Sequence, residues 1–263
     1  MRRLGFVLAI AAALGGCTRP RAPQPVTLTV SLAASLQNAM QEIQAIYERT
    51  GVRLTFNFGA SGTLAQQIEN GAPVDVFLSA APKPLDGLEA KGLILAGTRR
   101  NLLRNRIVLV APAGTAAVRS FQDLAGAGVK LVALGNPDSV PAGDYGRQTL
   151  QALRLWAAVE EKLVLAKDVR QVLSYVETGN ADAGIVYETD ARESSKVRVV
   201  AAAPAGTHAP IVYPVAVIRD SRNAEAARHV ITAYYCKIDR MGSPQARQLT
   251  HDRVAPRPAH DIA

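Results

Sequence analysis

The 263-residue chain carries 30 Lys and Arg against 22 Asp and Glu, a formal charge of +8, and 48% of it is hydrophobic, which excludes a disordered chain. That length makes one large domain or two lobes of roughly 100–130 residues, each with room for a core. The charge raises the question of an anionic partner, but a single Trp argues against stacking platforms for nucleic acid, and two Cys with four His are too few for a His/Cys zinc cluster.

The chain opens on a basic start, Met1-Arg2-Arg3, and an uncharged, mostly apolar run over residues 4–16. That run is too short to span a bilayer and fits the core of a signal peptide. It ends in Leu14-Gly15-Gly16-Cys17, which resembles the lipobox of bacterial lipoproteins. Residues 1–17 therefore read as a lipoprotein signal peptide ending at a lipidated Cys17. Residues 18–25, with three Pro and two Arg, read as a tether. Cys236 is then left without a partner, so no internal disulfide is expected. The expected place of work is the periplasm or cell surface, with the membrane reached through the Cys17 anchor and no role for nucleic acid. No later segment is long and apolar enough for a membrane helix.

Residues 26–30 alternate as a strand, and residues 35–49 have helical spacing with Leu36, Met40, Ile43 and Ile46 on one face. Residues 52–58 predict a strand, 63–70 a helix stopped at Gly71, 74–79 a short strand and 85–91 a short helix. Strand and helix alternate in the manner of a parallel α/β sheet. A second set follows: strands at 106–111, 130–134, 162–165 and 184–187, with helices at 121–125, 142–153 and 169–178. Strands at 197–200 and 211–218 come next, and a helix begins after Asn223. Two α/β sets with a late return strand predict two lobes joined by crossovers. Ligands of such folds bind beyond the carboxyl ends of the strands, here between the lobes.

Enzyme signatures are weak. Gly59-Ala60-Ser61-Gly62-Thr63 resembles a nucleophile elbow but lacks the second Gly at the required spacing. All four His lie at position 208 or later, which leaves a serine hydrolase using Ser61 as a poor alternative. Gly126-Ala127-Gly128 reads as a turn before a strand. A recurring loop-to-helix junction stands out instead: Ser35, Ser61, Pro141-Ala142-Gly143 and Asp168-Val169-Arg170 each open a helix. Helix starts present free N–H groups and the positive end of the macrodipole, and so bind anions without a formal positive charge. Arg170 reads as a solvated residue of a first turn.

Several dispersed motifs carry a resemblance. Residues 33–40 (AASLQNAM), 58–68 (FGASGTLAQQI), 71–80 (GAPVDVFLSA), 135–137, 140–143, 161–170 and 184–191 (GIVYETDA) resemble, in this order, the molybdate-binding proteins of bacterial molybdate ABC transporters. The match runs from about residue 26 to 230. It implies an α/β periplasmic-binding-protein fold of two lobes. Each lobe is a mixed, mostly parallel sheet flanked by helices, with the ligand cleft between. The expected lobes are 26–106 with 212–263, and 107–211. The resemblance also implies a tetrahedral oxyanion held by neutral donors: the hydroxyls of Ser35 and Ser61, the backbone N–H groups of Ala142 and Val169, and the phenol of Tyr187. The implied ligand is molybdate or tungstate, delivered by a monomer to a membrane permease, with no catalysis and no cofactor. A receptor for sulfate or another oxyanion is the alternative. The family's aromatic-rich end is replaced here by a polar segment with two Pro, so the chain from about 248 is expected to be poorly ordered.

Overall fold

The computed structural model describes residues 25–47 and 51–240. The expected signal peptide with Cys17, nearly all of the tether and the tail from 248 lie outside the described residues. So do the side chains of Ile43, Ile46 and Cys236.

The first half builds one sheet. Strand β1 (Val26–Ala33) lies parallel to β2 (Val52–Gly59), in a register that sets Val26 against Val52 and Ala33 against Gly59. Leu28, Val30 and Leu32, alternating along β1, are buried in the core. After β1 comes a 3-10 turn, Ala34–Leu36, and only then helix α1 (Gln37–Tyr47). Helix α2 (Ser61–Glu69) leads to β3 (Val76–Leu78), and α3 (Pro82–Ala90) leads to β4 (Arg100–Arg104). Leu64, Ile68, Leu85 and Leu88 of α2 and α3 pack with Phe77 on one face of the sheet. Burial of each Leu or Ile is worth about 1.5–3 kcal/mol.

The chain then crosses to a second sheet through Asn105 and Arg106. Its strands are β5 (Ile107–Pro112), β6 (Val132–Gly135), β7 (Leu163–Ala166), β8 (Ala183–Tyr187) and β9 (Val197–Ala202). Helices α4 (Pro141–Ala152), α5 (Trp156–Val159), α6 (Val169–Glu177) and α7 (Glu188–Arg192) connect them. Strand β10 (Val212–Val217) returns to the first sheet, and α8 (Ala224–Arg240) follows.

The strand orders are β2-β1-β3-β10-β4 and β7-β6-β8-β5-β9. Each sheet has two parallel and two antiparallel pairings, so the sheets are mixed. The antiparallel pairings all involve β10 or β5, the strands that enter straight from a crossover. Edge strand β4 went unpredicted because only Leu102 of its five residues is buried, which leaves no alternation to read. Among the described residues no helix is long and apolar enough to cross a membrane.

Candidate functional site

Five strands end at one place. Strands β1, β2, β6, β7 and β8 run out at Ala33, Gly59, Gly135, Ala166 and Tyr187, and the segments that follow enclose a small cavity between the two sheets. Its lining includes Ser35, Ser61, Ala142, Val169 and Tyr187, so all five residues singled out in the sequence face one space. All five are buried. Ser35 and Ser61 follow strands of the first sheet, whereas Ala142 and Val169 follow strands of the second and Tyr187 ends its strand β8, so neither sheet alone makes the cavity.

The helix starts are unusual in what caps them. Ser61 is the first residue of α2 rather than its cap; the cap position is held by Ala60 and has no side-chain hydrogen bond. Val140 occupies the same position before α4, and Ala33 before the 3-10 turn, again without a side-chain cap. Alanine and valine are poor caps because they offer no oxygen to the first N–H groups. Of those groups, the Gly62 and Gly143 N–H donate to the Ser139 and Val140 carbonyls, which leaves the Ser61 and Ala142 N–H for whatever fills the cavity. Helix α6 differs: the Asp168 carboxylate accepts from the Gln171 N–H at 2.9 Å.

The side chains add donors of fixed direction. The Ser61 hydroxyl oxygen accepts the Ala80 N–H at 2.9 Å, which leaves the hydroxyl proton to point elsewhere. The Tyr187 phenol makes a long bond, 3.4 Å, to the Ala80 carbonyl and also faces the Tyr213 phenol. Burial, reinforced by neighbouring Tyr213, holds the Tyr187 phenol well above its ordinary range, so it stays protonated and can donate. Among the described residues no Lys, Arg or His lines the cavity. Asp168 is also on the wall, but its carboxylate is engaged by the Gln171 N–H, and the remaining groups are neutral donors aimed at one point, which suits a compact anion.

Contacts across the cavity hold the two sides together. The Gly62 N–H donates to the Ser139 carbonyl at 3.0 Å. The Arg170 guanidinium donates to Asn38 Oδ1 at 3.1 Å, and the Asn38 amide donates to the Glu193 carboxylate. Arg170 thus departs from the solvated residue read in the sequence. Its Nε lies 2.9 Å from Asp190 Oδ1, and Asp190 is 0% exposed. A guanidinium is drawn inward here because a buried carboxylate needs a counter-charge.

Residues 28–233 match the sequence profile of a family described as bacterial extracellular solute-binding proteins. The chain belongs to this family. A substrate-binding lipoprotein of an ABC transporter in Bacillus subtilis (strain 168), as its name describes it, is 46% identical over 85% of this chain and 88% of its own. The molybdate-binding protein ModA of Escherichia coli (strain K12) is 40% identical over 84% of this chain and 86% of its own. The structure of the periplasmic molybdate-binding protein of Azotobacter vinelandii matches with a TM-score of 0.72 at 27% identity, over 79% of this chain and 92% of that one. These relatives are solute-binding proteins, not enzymes.

In this solute-binding protein, sequence reasoning missed two polar residues behind the cavity. Tyr213 on β10 lies 3.0 Å from Ser35, oxygen to oxygen, and Asn105 donates to Tyr213 at 3.1 Å. Tyr213 sits inside an apolar strand pattern and reads as a core aromatic. Its partner is 178 positions away, and no spacing rule reaches that far.

Proposed function

We propose that this protein is an extracytoplasmic receptor that captures molybdate, and tungstate with it, and delivers the oxyanion to the permease of an ABC transporter without catalysing a reaction. The observation that carries this reading is the cavity itself: two serines, two uncapped helix starts and a buried phenol converge with no cation among them. Ser35, Ser61 and Tyr187 donate through their hydroxyls, and Ala142 and Val169 through their N–H groups. Each hydrogen bond to a charged oxygen is worth about 1.5–3 kcal/mol net. A handful supports sub-micromolar binding, about −8 kcal/mol or better. Selectivity against sulfate comes from size, because sulfate is the smaller anion of equal charge and shape. With the Asp168 carboxylate engaged by the Gln171 N–H, donors outnumber acceptors, which disfavours the O–H of protonated phosphate. A serine hydrolase is not supported: the Ser61 oxygen accepts an N–H bond, and no His among the described residues lines the cavity.

The working unit is a monomer of two lobes, 26–106 with 212 onward and 107–211, closing on the oxyanion by a hinge at the crossovers. Cys17 is the lipid attachment point, which accords with the lipoprotein named among the relatives. Calorimetry against molybdate, tungstate, sulfate and phosphate tests the reading. Heat is expected with the first two, and none with either would refute it. Ser35→Ala and Ser61→Ala are each expected to weaken molybdate binding by about 1–3 kcal/mol. Unchanged affinity in both variants removes the two serines from the site.

Gly62 gives a test of closure. A Cβ there would stand 2.7 Å from the Ser139 carbonyl oxygen, which belongs to the opposite side of the cavity. Gly62→Ala is expected to weaken binding by about 1–3 kcal/mol while leaving the melting point of the ligand-free protein unchanged. A variant that binds like wild type shows that the contact is not part of the bound form.

A further inference from the structure

Behind Ser35 stands a short chain of hydrogen bonds whose direction can be worked out. Asn105 Oδ1 accepts the Arg106 N–H at 2.9 Å, which fixes the orientation of the amide. Its NH2 group therefore faces the other way. One hydrogen goes to Thr189 Oγ1 at 2.9 Å and the other to the Tyr213 phenol oxygen at 3.1 Å. Tyr213 is almost completely buried, and burial raises its phenol far above the ordinary value, so it keeps its proton. A buried proton needs an acceptor. Asn105 offers only a donor there, and of the two neighbouring hydroxyls, those of Ser35 and Tyr187, the Ser35 oxygen is the one that meets Tyr213 in a well-formed hydrogen bond, at 3.0 Å. Ser35 thus accepts from Tyr213, and its own proton is turned toward the cavity that it lines.

We propose that Asn105 and Tyr213 are positioning residues that bias the Ser35 hydroxyl toward donating, and that they thereby favour a fully deprotonated oxyanion over one that carries an O–H. The inference rests on the oxyanion reading of the cavity. A serine without this backing rotates freely, and can either donate to an oxyanion or accept from a protonated one. With the backing, one lone pair is taken, and a ligand O–H that uses the other turns the Ser35 proton away from the ligand, where no acceptor among the described residues meets it. Ser61 is set in the same sense by the Ala80 N–H. Ser61 relies on backbone and cannot be retuned by a side-chain change, whereas Ser35 can. The two positioning residues also occupy the segments that join the sheets: Asn105 lies between β4 and β5, and Tyr213 lies on the return strand β10.

The test compares molybdate with inorganic phosphate at pH 8, where phosphate is mainly a dianion with one O–H. Both ligands then carry the same charge. Molybdate is measured by calorimetry and phosphate by competition against it, for wild type, Tyr213→Phe and Asn105→Asp. Tyr213→Phe keeps the ring that packs 5.7 Å from Tyr187. It is expected to weaken molybdate about tenfold, and to reduce the molybdate-to-phosphate preference by at least as much. Asn105→Asp replaces the donor with an acceptor, reverses the chain and should reduce the preference too. Its added charge acts on both dianions alike, so the ratio is unaffected by it. In a Ser35→Ala background, Tyr213→Phe should leave the ratio unchanged. If either single variant folds and weakens both ligands in parallel, or leaves both unaltered, the inference is overturned while the oxyanion reading stands. A wild type that binds none of the oxyanions overturns that reading and this inference together.

Discussion

Replacing Gly143 with alanine is expected to cost about 3 kcal/mol or more of folding stability. Gly143 sits in the first turn of α4, where the helix start is pressed against the end of β6. A Cβ on it would lie 1.9 Å from the Gly135 carbonyl oxygen and 2.5 Å from the Gly135 carbonyl carbon. Both are backbone atoms, and neither can swing aside as the tip of a side chain would. Gly135 is constrained in return, because a Cβ there would stand 2.5 Å from Val140 Cγ1. This close approach of helix to strand sets the backbone N–H of Ala142 at the cavity wall. For a chain of this size the loss corresponds to a melting point lower by roughly 6–12 °C. Gly87 is the control: it lies in α3 with nothing within 4 Å of an added Cβ, and alanine there should be neutral or stabilising by up to about 1 kcal/mol. A Gly143→Ala protein that melts with the wild type sinks the close-packing argument.

What could be read from the sequence was set by range. Alternation along residues 26–30 and 52–58 located β1 and β2, because each strand buries one face more than the other. The junctions at Ser35, Ser61, Ala142 and Val169 were legible because a strand end and the helix start that follows it are local in the chain. That they meet at one cavity follows from parallel pairing within each sheet, which brings the carboxyl ends of β1 and β2, and of β6, β7 and β8, to the same side. Contacts made only by the folded chain were not legible. The Ser35–Tyr213 bond joins residues 178 apart, and Arg170 carries no signal in its own turn that a carboxylate lies buried beneath it. Helices α5 and α7, at four and five residues, are too short to show a period. Ser35 was expected to open a long helix, but it sits in a 3-10 turn that redirects the chain before α1.

The net charge of the chain takes no direct part in the cavity. A cation in the site would attract every dianion by the same long-range force, whereas neutral donors reward only a ligand whose oxygens meet them in length and angle. The nearest guanidinium, that of Arg170, is occupied by Asp190 one step behind the wall. The remaining basic residues act at a distance, if the field of the whole protein steers anions inward, and salt should reduce the association rate without changing the geometry of the bound state.

Arg170→Met is expected to cost about 1–2 kcal/mol more stability at pH 8 than at pH 5, because at pH 8 it takes the counter-charge from a buried Asp190 that must then stay charged alone or take up a proton. Asp190 is the reporter of this effect. Burial pushes its carboxyl from an ordinary value near 3.8 up to about 7, against the opposing pull of Arg170. A raised carboxyl means that the folded protein holds this proton more tightly than the unfolded chain. The favourable contribution is complete below about pH 3.8 and is lost as pH rises through about 7. Asp190→Asn should therefore remove a decline in wild-type stability between about pH 4 and 7. Without the guanidinium the carboxyl rises further, so Arg170→Met should be much less damaging at pH 5, where Asp190 is protonated, than at pH 8. The double variant Arg170→Met/Asp190→Asn should lose the difference between pH 5 and pH 8, since no carboxyl is left to ionise. Urea unfolding of the four proteins at pH 5 and 8 decides the matter. An equal loss for Arg170→Met at both pH values would mean that its packing against Asn38, and not the buried charge, is what the fold requires.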